Sequence, residues 1–157
     1  MTLSWDHLLG HPFRWGSRDC FSLTRDFYVD NFDIQLPNYA RPTNWSAGTF
    51  DLPRLVYARH GFEMHTDWKT ADLRPGDLLL MAIGDTAANH FAVYVGDNLM
   101  IHHLFGRTSN EEPFRDFWRN SVCYMLRHPS VPDLRPVFPD TDIGSLLRAR
   151  YPTLLDA

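Results

Sequence analysis

The stretch that most constrains the fold is His90-Phe91-Ala92-Val93-Tyr94-Val95, followed by Gly96-Asp97-Asn98 and then Leu99-Met100-Ile101-His102-His103-Leu104-Phe105. Two largely apolar runs, hinged on a Gly-Asp-Asn turn, predict an antiparallel hairpin. Leu73-Arg74-Pro75-Gly76-Asp77 reads as a turn leading into a buried strand, Leu78–Ile83, and a further strand is expected over Val122–Arg127. The first half of the chain is patterned differently. Trp5–Gly10 predicts a short helix ended by glycine. From Cys20 to about Asn31 the apolar positions Phe21, Leu23, Phe27 and Tyr28 include helical spacings, with Asp19 placed to cap the helix. Residues 35–50 read as an irregular connection and Leu52–His60 as a second helix stopped by Gly61; another short helix is expected around Glu112–Arg119. Helices first and an antiparallel sheet afterwards is the pattern of an α+β fold.

At 157 residues the chain has the length of one domain. The expected division is a domain over 1–128 and a Pro-rich extension over 129–157 that packs on the domain or on a partner, with a helix near Ile143–Tyr151. A formal charge of -4 leaves no broad basic surface, which argues against nucleic acid. No apolar run approaches the roughly 18 residues of a membrane helix, so no membrane insertion is expected. The N-terminus lacks the plan of a secretory signal, so cytosolic synthesis is expected, with any action outside the cytoplasm depending on delivery by something else. Two cysteines, Cys20 and Cys123, are too few for a disulfide framework and read as free thiols.

Cys20 stands at the first turn of its helix, where unpaired N–H groups and the positive end of the helix dipole favour thiolate and can hold an oxyanion. The structural alternative is a small buried residue, as free cysteines often are. Cys123, alternating with Val122 and Tyr124, reads as a structural thiol. Of eight histidines, His90 is set apart because it opens an apolar strand, with His102 and His103 on the returning strand. A base oriented by a further polar group is the logic of nucleophilic catalysis. Strand parity decides the orienting group: an odd-length turn puts His102 on the face of His90, and a two-residue turn puts His103 there. Adjacent histidines on a strand point to opposite faces and do not readily share an ion. No Cys-x-x-Cys or His-Glu-x-x-His spacing is present, so no metal is expected. No phosphate loop is present and no cofactor is expected.

Asp19-Cys20 at a helix start, Arg74-Pro75-Gly76-Asp77-Leu78, His90-Phe91-Ala92-Val93-Tyr94-Val95-Gly96 and Met100-Ile101-His102-His103 occur in that order, with His102 twelve positions after His90. The series resembles the NlpC-type papain-like cysteine peptidases. That resemblance implies a papain-like α+β fold, with a cysteine-headed helix packed on an antiparallel sheet. It makes Cys20 the nucleophile, His90 the base and His102 the group that orients it. It further implies peptide stems of bacterial peptidoglycan as substrate. Phe21-Ser22 stands where the family usually has Ser-Gly, and Gly16-Ser17 replaces a glycine pair.

His11-Pro12-Phe13-Arg14-Trp15-Gly16, Arg25-Asp26-Phe27-Tyr28, Leu36–Pro42 and His102-His103-Leu104 with Gly106-Arg107 are similar to the peptidase domain of lambda-type phage tail-tip assembly proteins. The narrower resemblance implies a tail-tip location in a virion assembled in the host cytoplasm, other tail-tip proteins as partners, and delivery by the virion. A purely structural tail-tip role is the alternative; a host wall hydrolase and a thiol transferase are further readings on the same fold. Trp15, Arg18 and Asn89 are candidates for the substrate groove. Tyr39, Trp45 and Trp68 are read as groove or ordinary packing, and Arg41, like Arg18, as receiving a substrate carboxylate or as solvated charge.

Overall fold

The computed structural model describes residues 1–41 and 52–137, with Gly144 and Arg150 beyond them. Trp45, the later part of the 35–50 connection and the helix expected near Ile143–Tyr151 lie outside the described residues, Gly144 and Arg150 apart.

Among residues 1–41 and 52–137, three helices, α1 (Cys20–Phe32), α2 (Leu52–His60) and α3 (Asp116–Ser121), accompany six strands: β1 (Glu63–His65), β2 (Leu78–Met81), β3 (His90–Gly96), β4 (Leu99–His102), β5 (Asn110–Pro113) and β6 (Val122–Arg127). The strands form one sheet in the order β1-β6-β2-β3-β4-β5, every pair antiparallel. This is the expected α+β architecture. Several boundaries differ from expectation. Single 3-10 turns stand at Asp6–Leu8 and Thr70–Asp72. Glu112 belongs to β5 and not to a helix, which begins only at Asp116.

Period-2 alternation divides the core into two layers. Phe91, Val93, Val95, Leu78, Leu80, Ile101 and Leu126 pack with Cys20, Phe21, Leu23, Phe27 and Tyr28 of α1. Ala92, Tyr94, Leu79, Met81, Met100 and Met125 face the other way, toward Phe114, with Trp118 alongside. Phe21, Phe27 and Phe91 have no exposed surface, each burial contributing about 2–3 kcal/mol. The α1 helix is capped at its start by Asp19, whose Oδ1 accepts from the Ser22 N–H at 2.8 Å, and at its end by Asp33, a left-handed residue at φ 56°.

The Pro75-Gly76-Asp77 turn fastens these layers together. Gly76 has φ +96°, and a Cβ there would stand 2.9 Å from Val131 Cγ1 and 3.0 Å from Phe32 Cζ. Its carbonyl accepts from the Tyr28 hydroxyl at 2.5 Å, tying α1 to the start of β2. Asp77 is buried and accepts from the Arg74 N–H at 2.8 Å and from Arg127 Nε and Nη2 at 2.8 and 2.7 Å, tying β2 to β6. Past residue 128, Val131 packs against the core beside α1 and Asp133 pairs with Arg74 at 3.3 Å.

The central hairpin turns on Asp97 and Asn98, both at positive φ (50° and 57°), the signature of a two-residue turn of the primed type. The pairs Gly96↔Leu99 and Tyr94↔Met100 leave Val95 without a partner, so a bulge adds one residue to β3. A two-residue turn alone would set His103 on the face of His90. The bulge shifts the register by one, and His102 stands opposite Ala92 instead.

Candidate active site

Cys20 heads α1 and is 7% exposed. The β3–β4 pairing ends at Ala92↔His102, and just beyond it the Phe91 backbone N–H faces the Cys20 sulfur, as does the N–H of Phe21. The thiol therefore meets β3 at the residue that follows His90, where β3 and β4 part. Burial, with the Asp19 carboxylate adding to it, pushes the thiol up to about 12; the two N–H groups and Arg41 pull in the other direction. The helix start favours thiolate, as expected from sequence, but removal from water outweighs it.

His90 and His102 share a sheet face and are both buried, with His90 Nε2 and His102 Nδ1 hydrogen-bonded at 2.9 Å. Burial pushes His90 down to about 3, the neighbouring His102 and His103 acting in the same direction. The Trp118 ring stands edge-on to His102 at 4.6 Å between centroids, closing that side. Alternation places this pair on the sheet face opposite α1, while the thiol meets β3 at the Phe91 N–H. His103, also buried, points to the α1 side, where its ring meets Phe13 at 5.2 Å.

A buried ion pair supports the cysteine from below. Asp19 Oδ2 accepts from Arg41 Nε at 2.6 Å and from the Gly16 N–H at 2.7 Å, and its Oδ1 accepts from the Ser22 hydroxyl at 2.9 Å. Arg41 Nη2 donates to Ser22 Oγ at 2.9 Å, and Nη1 to Asn38 Oδ1 and the Tyr39 carbonyl at 3.0 and 2.7 Å. Arg41 is thus held by four hydrogen bonds and is buried, not solvated. Burial raises the Asp19 carboxyl, but the Ser22 N–H, the hydrogen bond and charge of Arg41 and the Gly16 N–H together hold it below the usual range.

Trp15, Arg18 and Asn89 sit in different surroundings. Trp15 is 40% exposed and forms a cluster with Phe13 and Phe105, at 5.0 and 5.7 Å. Arg18 is exposed and lines a small cleft of about 200 Å³ together with His11, Ser17, Asp26 and His103. Both ends of the Asn89 amide hold Ile83: Oδ1 accepts from its N–H at 2.8 Å and Nδ2 donates to its carbonyl at 2.9 Å. Asn89 thereby closes the 83–89 loop that delivers His90. A larger cleft of about 610 Å³ opens at the other end of β3, around Tyr94 and Gly96, and carries none of the candidate residues.

Glu112, read from sequence only as the start of a helix, adds a carboxylate to the imidazole pair: its Oε1 lies 3.5 Å from His102 Nε2. Asn110-Glu111-Glu112 is polar throughout, so the sequence carries no signal for its role. Among the described residues no group of three His, Cys, Asp or Glu side chains is arranged to hold a metal ion. Thiol, paired imidazoles and helix-start N–H groups are the parts of a cysteine-dependent acyl transfer site.

Residues 10–127 match the NlpC/P60 family. Tail tip assembly protein K of Escherichia phage lambda is 30% identical over 131 residues, covering 78% of this chain and 59% of that protein. The protein of the same name from Escherichia phage N15 is 25% identical over 124 residues, covering 79% and 50%. The chain thus spans between half and three fifths of these curated relatives. Among solved structures, a NlpC/P60 family protein from Bacillus cereus superimposes with a TM-score of 0.51 at 22% identity, over 82% of this chain and 41% of that one. That likeness concerns the fold alone.

Proposed function

This chain belongs to the NlpC/P60 family, and on that premise we propose that it is a tail-tip-associated cysteine peptidase that cuts peptide stems of bacterial peptidoglycan during phage entry. The observation that carries this reading is the His90–His102 hydrogen bond of 2.9 Å beside the strand position whose N–H faces Cys20. In the proposed reaction Cys20 Sγ attacks the stem-peptide carbonyl as its proton passes to His90. The resulting oxyanion is held by N–H groups at the start of α1. His90 then protonates the leaving amine, and water, deprotonated by His90, hydrolyses the thioester to regenerate the thiol. Burial disfavours the charged forms of both thiol and imidazole, which favours proton transfer concerted with attack. His102 keeps the base oriented. In this reading Trp15 and Arg18 meet the stem peptide, and Asn89 holds the loop that carries the base.

Digestion of purified stem peptides by wild type and Cys20→Ala, read by mass spectrometry, tests this directly. Cleavage by wild type alone supports the enzyme and its product masses give the bond. Intact peptide with both folded proteins overturns it in favour of a structural tail-tip component. That second reading draws on the names of the lambda and N15 relatives, which are tail tip assembly proteins. In either case the partners are other tail-tip proteins and the location is the virion tail tip.

A further inference from the structure

His102 uses one ring nitrogen to reach His90, and its other nitrogen, Nε2, is buried with no hydrogen bond formed to any described residue. A buried polar atom in that condition needs an explanation. The acceptor it faces is Glu112 Oε1 at 3.5 Å. This carboxylate is itself fixed: Oε1 accepts from Asn110 Nδ2 at 2.7 Å and Oε2 from Trp118 Nε1 at 2.8 Å. Strand register builds the arrangement, since His102 pairs with Asn110 and Met100 with Glu112, placing Glu112 on the face of the imidazoles. Trp118 both holds Glu112 and packs edge-on against His102.

We propose that Glu112 is a positioning residue that sets the tautomer of His102 and, through it, of His90. An ionised carboxylate only accepts hydrogen bonds. Facing Glu112, His102 therefore carries its proton on Nε2, which leaves Nδ1 as a bare acceptor. His90 must then donate from Nε2 to His102 Nδ1, and its own Nδ1 is left with the lone pair that takes the Cys20 proton. Without the carboxylate, His102 is free to carry its proton on Nδ1 and donate it to His90 Nε2. His90 is then protonated on Nδ1 and cannot act as base through that atom. The 3.5 Å separation belongs to the resting site, where such contacts are often long and tighten when charge develops. Glu112 also compensates the positive charge that His90 acquires in turnover, relayed through His102.

The proposal rests on the peptidase reading only for its consequence in turnover; the tautomers themselves are independent of substrate. Nitrogen-15 NMR of histidine-labelled wild type is expected to show His102 and His90 both as Nε2–H tautomers, and Glu112→Gln to show a population of His90 protonated on Nδ1. Selective alkylation of Cys20 by iodoacetamide, followed by mass spectrometry to separate it from Cys123, is expected to move to higher pH in Glu112→Gln. The charged and titratable groups facing His102 besides Glu112 are His90, His103 and Arg107, and all remain in that variant. Where stem peptide is cut, kcat is expected to fall about 10²-fold with little change in KM. Wild-type His102 protonated on Nδ1, or tautomers and an alkylation profile unchanged by Glu112→Gln, would overturn the proposal. Absence of peptide cleavage with the tautomers as expected would overturn only the peptidase reading. Should Glu112→Gln not fold, the wild-type tautomers decide the matter alone.

Discussion

Replacing Arg41 by Met tests how the start of α1 is held. The substitution keeps an unbranched apolar stem beside Phe21, over whose ring the guanidinium lies at 5.0 Å, while removing the charge. Asp19 and Arg41 expose 0% and 1% of their side chains in the pair. Breaking one partner of a buried ion pair generally costs about 3–5 kcal/mol, because the other charge is left without compensation. Asp19 would keep the Gly16 and Ser22 N–H groups and the Ser22 hydroxyl. Those bonds place the expected loss near the lower end, about 3 kcal/mol, or roughly 6–12 °C in Tm for a chain of this length. Urea unfolding followed by tryptophan fluorescence measures it. The pH dependence carries a sign. In wild type the Asp19 carboxyl is held below its ordinary value, so its contribution is present above the unfolded carboxyl pKa and is lost as pH falls through the folded one. In Arg41→Met the carboxyl titrates higher, and its protonation relieves the unpaired charge, so the gap from wild type narrows on acidification. A loss below about 1 kcal/mol at pH 7, or a gap that widens toward pH 4, refutes the reasoning.

Gly76→Ala is expected to cost about 2–3 kcal/mol, since the new methyl meets Val131 and Phe32 at a left-handed position; chemical denaturation within 1 kcal/mol of wild type would remove the case for that turn. Tyr28→Phe leaves the Gly76 carbonyl without its 2.5 Å donor and should lose about 1–3 kcal/mol in the same assay. Because His90 stays neutral in the fold down to about 3 while an unfolded histidine binds a proton below about 6.5, its contribution is present above pH 6.5 and lost as pH falls. That amounts to about 2 kcal/mol between pH 7 and pH 5. Stability against pH should be correspondingly flatter in His90→Gln, with His102 and His103 still contributing in the same direction; parallel curves for the two proteins would contradict the burial argument.

The central hairpin, α1 and β6 are legible in the sequence because each buries a face with its own period: alternation in β3, helical spacing in α1. The strands β1 and β5 are not, since Glu63-Met64-His65 and Asn110-Glu111-Glu112-Pro113 carry no apolar run. They are strands because β6 and β4 offer them ladder partners, a fact of tertiary structure. For the same reason Glu112 reads as the start of a helix when only its neighbours in the chain are considered. Arg41 lies 22 positions from Asp19, and no local pattern distinguishes a guanidinium bound for a buried carboxylate from one bound for solvent. Local reasoning also misjudges the thiol: the helix start is visible in the sequence, whereas the burial that outweighs it depends on how α1 meets β3.

The choice between His102 and His103 shows how the chemistry depends on register. The Asp97-Asn98 turn, taken alone, selects His103. The unpaired Val95 reverses that choice, and with it the side of the sheet on which the base finds its partner. Once His102 faces His90, the next strand's alternation brings Asn110 and Glu112 to the same side, and Trp118 of α3 closes over them. One extra residue in β3 therefore aligns four side chains drawn from β4, β5 and α3. The Pro75-Gly76-Asp77 turn acts at the opposite end of the same strand, where the Gly76 N–H donates to the Tyr94 carbonyl and Asp77 accepts from the Tyr94 N–H. That turn touches no candidate catalytic atom, yet it holds β3 in the frame that the bulge then shifts.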